Sequence, residues 1–264
     1  MKSLYRVLKK INRTAEINGL NIRKIIFSIT SFPNFFSDIN KYKKSEESEF
    51  KLPFKYSNLF PALSDKKSDA GVASGHYFHQ DLWAAKKIYQ KRTENHVDIG
   101  SSIEGFISHL LVFMEKVYVI DIRRLESDIE NLSFIQSDAT SLKEFADNSL
   151  NSISSLHAAE HFGLGRYGDP VDPLAHISFM KSLARVLKIN GVLYFSVPVG
   201  IERVEFNAQR VLSPHTVLKI FESANLRLVS FSLIKDDQKL YINADMDEAA
   251  IQRYGCGLFE FTKC

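Results

Sequence analysis

The chain has 264 residues and little of what stabilises small secreted folds: two cysteines, Cys256 and Cys264, and one tryptophan. Both cysteines stand near the C-terminal end, and neither belongs to a CxxC pair or to a Cys/His run with metal-ligand spacing. A disulfide framework and a structural zinc module are therefore excluded as readings, and a reducing, cytoplasmic setting is expected. No run approaches the ~20 apolar residues needed to cross a bilayer, and the first residues do not read as a secretory leader. The G-x-G-x-x-G fingerprint of dinucleotide-binding folds is missing, as is a Tyr-x-x-x-Lys pair near the fifth strand, which disfavours a nicotinamide-dependent sugar-nucleotide oxidoreductase. Internal repeats and low-complexity tracts are absent too.

What is present is an ordinary globular composition, 45% hydrophobic and 25% charged, with the charge unevenly distributed. Residues 1–67 carry 14 Lys/Arg against 6 Asp/Glu, and residues 68–264 carry 20 against 25. The overall +3 thus divides into +8 and −5. A basic arm of this kind either keeps a surface wet or meets an anionic partner. Leu4, Val7, Leu8 and Ile11 fall on one helical face flanked by Lys2, Arg6, Lys9 and Lys10, a pattern suited to weak contact with a membrane surface or to packing on the protein itself. Nothing points to nucleic acid, and the oligomeric state is open. Residues 1–35 read as helical and 36–75 as irregular, so the boundary is set between a basic extension, 1–75, and a domain, 76–264.

From residue 77 the pattern becomes regular. A helix is expected over about 80–92, and short apolar strands at His96–Gly100, Val117–Asp121, Leu132–Gln136, Leu150–Leu156 and Gly191–Val197. Helical spacing runs through Phe106, Leu110, Leu111 and Met114, and a long helix through Leu174–Leu187. Strands alternating with helices over short links predict a mainly parallel α/β sheet covered on both faces. Leu226–Ile234 and Gly257–Phe261 are strand-like with no full helix between them, which suits an antiparallel hairpin at one edge.

Ligands of such sheets bind at the carboxyl ends of the strands. Here three successive ends carry Asp98 with Gly100, Ser101 and Ser102, then Asp121, then Asp138 with Ala139. Glycine and small residues permit close backbone approach, and a carboxylate can accept two hydrogen bonds from a ribose diol. The fourth end is the richest: His157, Glu160 and His161 lead into a glycine-punctuated segment holding Arg166 and Tyr167. A neutral imidazole accepts a proton near neutral pH, so these histidines are candidate bases, the alternative being hydrogen bonds that hold the loop.

The order VDIGSS, VYVIDIR, SDAT, SLHAAEH, LKINGVLYFSVP resembles class I S-adenosylmethionine-dependent methyltransferases. Longer stretches, GHYFHQDLWAAKKI, HAAEHFGLGRYGDPVDP and FNAQRVLSP, resemble a methyltransferase-like family of unknown function often associated with surface-polysaccharide biosynthesis. The likeness spans about residues 60–264. It implies a Rossmann-like seven-stranded sheet with the last strand inserted antiparallel, and S-adenosyl-L-methionine as cofactor. It places Asp98, Gly100, Ser101 and Ser102 at the methionine moiety, Asp121 and Ile122 at the ribose, Asp138 and Ala139 at the adenine edge, and His157 beside them. It makes His161 the catalytic base, with Glu160 positioning it. Tyr77, His79, Arg166, Tyr167 and Arg210 are the implied acceptor contacts, and no metal ligand is implied. The implied reaction is O-methylation of a sugar hydroxyl or phosphoryl oxygen of a capsule or lipopolysaccharide precursor. Ser102 and Glu104 stand where the common pattern has glycines, so the competing reading is a degenerate fold that binds a partner without catalysis.

Overall fold

The computed structural model describes residues 19–45 and 48–264. The apolar face through Leu4, Val7, Leu8 and Ile11 lies outside the described residues. The chain divides into two compact units, Met1–Val72 and Ala73–Cys264.

In the first unit the main element is α1, Ile22–Lys44. Asn21 caps it, its Oδ1 accepting the Lys24 N–H at 2.9 Å, and Lys41, Lys43 and Lys44 sit at its C-terminal end, where the helix dipole favours cations. The helix passes through Pro33 and continues nine residues into the segment expected to be irregular. Ser31, Phe35 and Ile39, four apart, show why: the helical period persists beneath a charged surface. Two single 3₁₀ turns, Tyr56–Asn58 and Asp65–Lys67, follow. No helix among the described residues is long and apolar enough to cross a membrane.

The second unit opens with α2, His76–Lys91, which ends where Arg92 takes a left-handed conformation. The first three strands are β1 (Asn95–Ile99), β2 (Lys116–Asp121) and β3 (Leu132–Gln136). Between β1 and β2 the apolar spacing is met by a π-helical turn, Ile103–Ile107, running into the short α3, Ser108–Leu110. After β4 (Leu150–Leu156) come α4 (Ala175–Val186), β5 (Leu187–Val199), the small β6–β7 hairpin (Arg203–Glu205, Gln209–Val211) and α5 (Pro214–Glu222). The chain ends with β8 (Leu226–Ile234), β9 (Leu240–Ile242), α6 (Met246–Ala250) and β10 (Gly255–Lys263).

The main sheet has the order β3-β2-β1-β4-β5-β10-β8-β9. Strands β1 to β5 pair in parallel, and β10 lies antiparallel between β5 and β8. Eight strands replace the expected seven, because the chain after β8 folds back as the edge strand β9. Alternation along β5 shows how the layers form: Leu193, Phe195 and Val197 pack with Phe179, Leu183 and Phe221 of α4 and α5. Val192 and Tyr194 face the other way, onto Trp83 and Ile88 of α2 and Phe106 of the π turn.

Candidate active site

The strand order reverses at β1, which pairs with β2 on one side and β4 on the other. Loops leaving β1 and β4 must diverge there, and a crevice opens at their carboxyl ends. A cavity of about 420 Å³ fills it. Its walls hold Gly100 and Ser102 from the first loop, Asp121 and Ile122 from the second, Asp138 and Ala139 from the third, and His157 and His161 from the fourth. Arg123 and Tyr167 stand at the same cavity.

The first loop is built from inside. Asp98 is fully buried, and its carboxylate accepts the Ser101 N–H (3.0 Å), the Ser101 hydroxyl (2.6 Å) and the Ser154 hydroxyl (2.5 Å). Ser101 Oγ in turn accepts the Leu156 N–H at 3.0 Å, tying the β1 loop to β4. Burial raises the Asp98 pKa to about 6 although these donors oppose the shift. Asp98 is therefore a brace beneath the loop and does not line the cavity, a correction to its expected place at the ligand. Gly100, at φ +72°, leaves space that a Cβ would close against Ala158 at 3.0 Å. Glu104 is exposed and outside the cavity lining, so the departure from the glycine pattern does not fill the cradle.

At the second end Asp121 is held bidentately by Arg123: Nε donates to Oδ1 at 2.9 Å and Nη2 to Oδ2 at 2.6 Å. The Arg123 guanidinium also lies over the Tyr167 ring, 4.6 Å from its centre. The Arg123 backbone N–H also donates to Oδ1, at 2.8 Å, so of the roughly four lone-pair sites of the carboxylate about one is left toward the cavity. At the third end Asp138 Oδ1 accepts the Thr140 N–H and hydroxyl, which turns the chain so that buried Ala139 meets the cavity wall.

A second cavity, sharing Tyr77, His157, His161 and Tyr167 with the first, is also lined by His76, Glu160, Arg166, Gln209 and Tyr254. His161 Nδ1 donates to the Ala208 carbonyl at 2.7 Å, leaving Nε2 with its lone pair. Burial lowers the His161 pKa, so the imidazole is neutral at neutral pH. Glu160 was expected to position His161, but its close partner is His157, whose Nδ1 donates to Glu160 Oε1 at 2.6 Å. His161 Nε2 stands 3.7 Å from the same oxygen. Burial opposes charge on both Glu160 and His157, yet their mutual attraction, with Cys256 also acting on His157, outweighs it: the carboxylate's pKa is lowered and the imidazole's is raised well above 6.5.

Two expected acceptor contacts are corrected. His79 lines neither cavity; it is half-buried, its ring edge-on to Phe78 with centres 5.4 Å apart. Arg210 is buried, with Nη1 donating to the carbonyls of Phe162 (2.6 Å) and Glu160 (3.3 Å), so it clamps the loop after β4. The GLGRYGDP segment is organised by a residue the motif reading passed over. Asp169 Oδ2 accepts the N–H groups of Gly163 (2.7 Å) and Gly165 (3.3 Å), and Oδ1 that of Tyr167 (3.1 Å). Burial works against its charge, but these donors prevail and lower its pKa. Along the sequence no Cys/His cluster occurs, whereas the fold brings His76, His157 and Cys256 together from three separate segments. No local spacing signals that grouping.

Residues 97–246, more than half of the chain, match the family model described as "Caenorhabditis protein of unknown function, DUF268". No curated protein sequence matches the chain. Among solved structures, the YcgJ protein from Bacillus subtilis is similar at a TM-score of 0.50 and 17% identity, covering 70% of this chain and 98% of that one. A provisionally assigned sarcosine dimethylglycine methyltransferase from Galdieria sulphuraria matches at 0.51 and 15%, covering 70% and 85%. The [4+2]-cyclase SpnF matches at 0.52 and 12%, covering 77% and 82%. At these identities the likeness is one of fold, and a cyclase among the matches shows that the fold alone does not select a reaction. The chain belongs to the DUF268 family and carries it on the Rossmann-like fold of the methyltransferases.

Proposed function

We propose that the protein is an S-adenosylmethionine-dependent methyltransferase, with the cofactor in the first cavity and the methyl acceptor in the second. The observation that carries this reading is the convergence of three strand ends on one chamber that shares Tyr77, His157, His161 and Tyr167 with a second. The residues fit the cofactor: the Gly100 cradle is open, Asp121 offers a carboxylate, and Ala139 offers a flat apolar wall. S-adenosylmethionine, when bound, supplies an electrophilic methyl group on a sulfonium.

The chain's own groups then have defined work. Gly100, Ser102, Asp121 and Ala139 would hold and orient the donor, and Tyr77 and Tyr167 stand on the wall common to the two chambers. With the cofactor bound, His161 Nε2 would take the proton of an acceptor hydroxyl and so make its oxygen a competent nucleophile. The Ala208 carbonyl keeps His161 in the tautomer this requires, and Glu160, 3.7 Å away, favours the imidazolium that forms. Arg166 at the second chamber suits an anionic or sugar-phosphate acceptor, and the resemblance of the sequence favours a precursor of a surface glycan. The test is transfer of a labelled methyl group to a panel of sugar phosphates, nucleotide sugars and lipid-linked glycan precursors. Label in at least one member supports the reading, and none with a cofactor-loaded enzyme contradicts it.

A further inference from the structure

His76 opens α2, His157 follows the last residue of β4, and Cys256 is the second residue of β10. One donor atom from each lies within 4.8 Å of the other two, and His76 Nδ1 is 3.0 Å from His157 Nε2. All three residues are buried, Cys256 completely. Aromatic rings wall the cluster: Tyr254 stacks on His76 with centres 5.1 Å apart, and Tyr77 leans on His157 at 5.2 Å.

The details of each donor suit a metal better than a simple hydrogen bond. His157 Nδ1 donates to Glu160 Oε1 at 2.6 Å, which orients the ring and turns Nε2 into the cluster. That is the carboxylate–histidine arrangement found behind metal-bound imidazoles. His157 also holds φ at +53°, in the left-handed region that few residues with a side chain adopt. His157 is in contact with both other members of the cluster, the His76 imidazole and the Cys256 thiol. The oxygens bonded to Cys256 Sγ, Gln80 Oε1 and the Gly257 carbonyl, stand only at 3.8 and 3.9 Å, the long limit for sulfur.

We propose that His76, His157 and Cys256 form a binding site for a zinc-class divalent ion, with Glu160 orienting His157 from behind. Tetrahedral bonds of about 2.0–2.3 Å place donors roughly 3.3–3.8 Å apart, a spacing that small side-chain rotations reach from the present one. Two imidazoles and a thiolate are the ligand set of a site that keeps its fourth position for a water or a substrate oxygen. Binding forms a metal–sulfur bond and releases the thiol proton to solvent, with no change of oxidation state. His76 and His157 also line the second cavity, so the ion sits at its wall, where an oxygen ligand can complete the shell.

The inference is independent of methyl transfer and is read without cofactor. The full chain, stripped with chelator, is titrated with Co²⁺ alone, and its thiolate-to-cobalt charge-transfer absorption is followed in the near ultraviolet. One equivalent should bind with that absorption, and Zn²⁺ should displace it. Cys256→Ser should abolish the band, His76→Gln should weaken Co²⁺ binding by on the order of tenfold or more, and Cys264→Ser should change neither. If Cys256→Ser fails to fold by circular dichroism, His76→Gln decides alone. Absence of the band in the wild type, its survival in folded Cys256→Ser, or unchanged affinity in His76→Gln overturns the proposal. Titration with S-adenosylhomocysteine reports separately on the methyltransferase reading.

Discussion

His96 lies under the active-site crevice in β1, fully buried, with its ring nitrogens 2.8 Å from the hydroxyls of Ser152 and Ser154. Both serines belong to β4, so the imidazole joins the two strands whose ends diverge around the cavity. Burial lowers its pKa from 6.5 to about 3, because a charge there would have no water and no counter-ion. The unfolded chain therefore binds a proton that the folded chain refuses. Stability from this residue is complete above 6.5 and is lost as pH falls from there toward 3. Linkage puts the loss at about 2 kcal/mol at roughly pH 5 and near zero at about pH 7.5. His76 and His176, each lowered to about 4, add losses of the same sign, while Asp81 and Asp98, each raised to about 6, act in the opposite sense. The clean comparison is therefore between the wild type and His96→Gln, which keeps a polar group between the serines. Urea unfolding at the two pH values should show the variant losing about 2 kcal/mol less than the wild type on acidification, whatever its stability at neutral pH. Equal losses in the two proteins would refute the claim that His96 is held neutral inside the fold.

Two further outcomes follow from the site. Asp121→Ala should weaken S-adenosylhomocysteine binding by about 1–3 kcal/mol in calorimetry while leaving the fold intact, since it removes a charged acceptor at the cavity wall. His161→Gln should lower the methyl-transfer rate by on the order of 10²-fold with little change in cofactor affinity. The wild-type rate should fall on the acid side only below pH 6.5, because burial lowers the pKa of this base, and the variant should lack that limb.

Much of the second unit is legible in the sequence because its strands are short runs between polar links, the first two closed by Gly100 and Asp121, a local signal that needs no tertiary knowledge. β1, β2, β3 and β4 fall within a residue of their expected limits. The eighth strand was not legible, since Leu240–Ile242 is three residues long and is defined by its pairing with β8. The expected helix stops at 35 because the charged run from Lys41 reads as irregular, whereas α1 continues through Lys41, Lys43 and Lys44. Within the site, type and position were readable but direction was not. Asp98 and Arg210 have the residue types of ligand contacts, and only packing shows that their polar atoms turn inward to brace loops. Cys256, paired with Pro198 on β5 and Ile234 on β8, reaches His76 and His157 through sheet order, which no spacing along the chain encodes.

The account stands on the first cavity being a cofactor site. Isothermal titration of the full chain with S-adenosylhomocysteine tests that directly, with Asp121→Ala and NAD as controls. One site per chain, weakened in Asp121→Ala and not filled by NAD, is the predicted result. No heat and no saturable binding by a folded protein would contradict it.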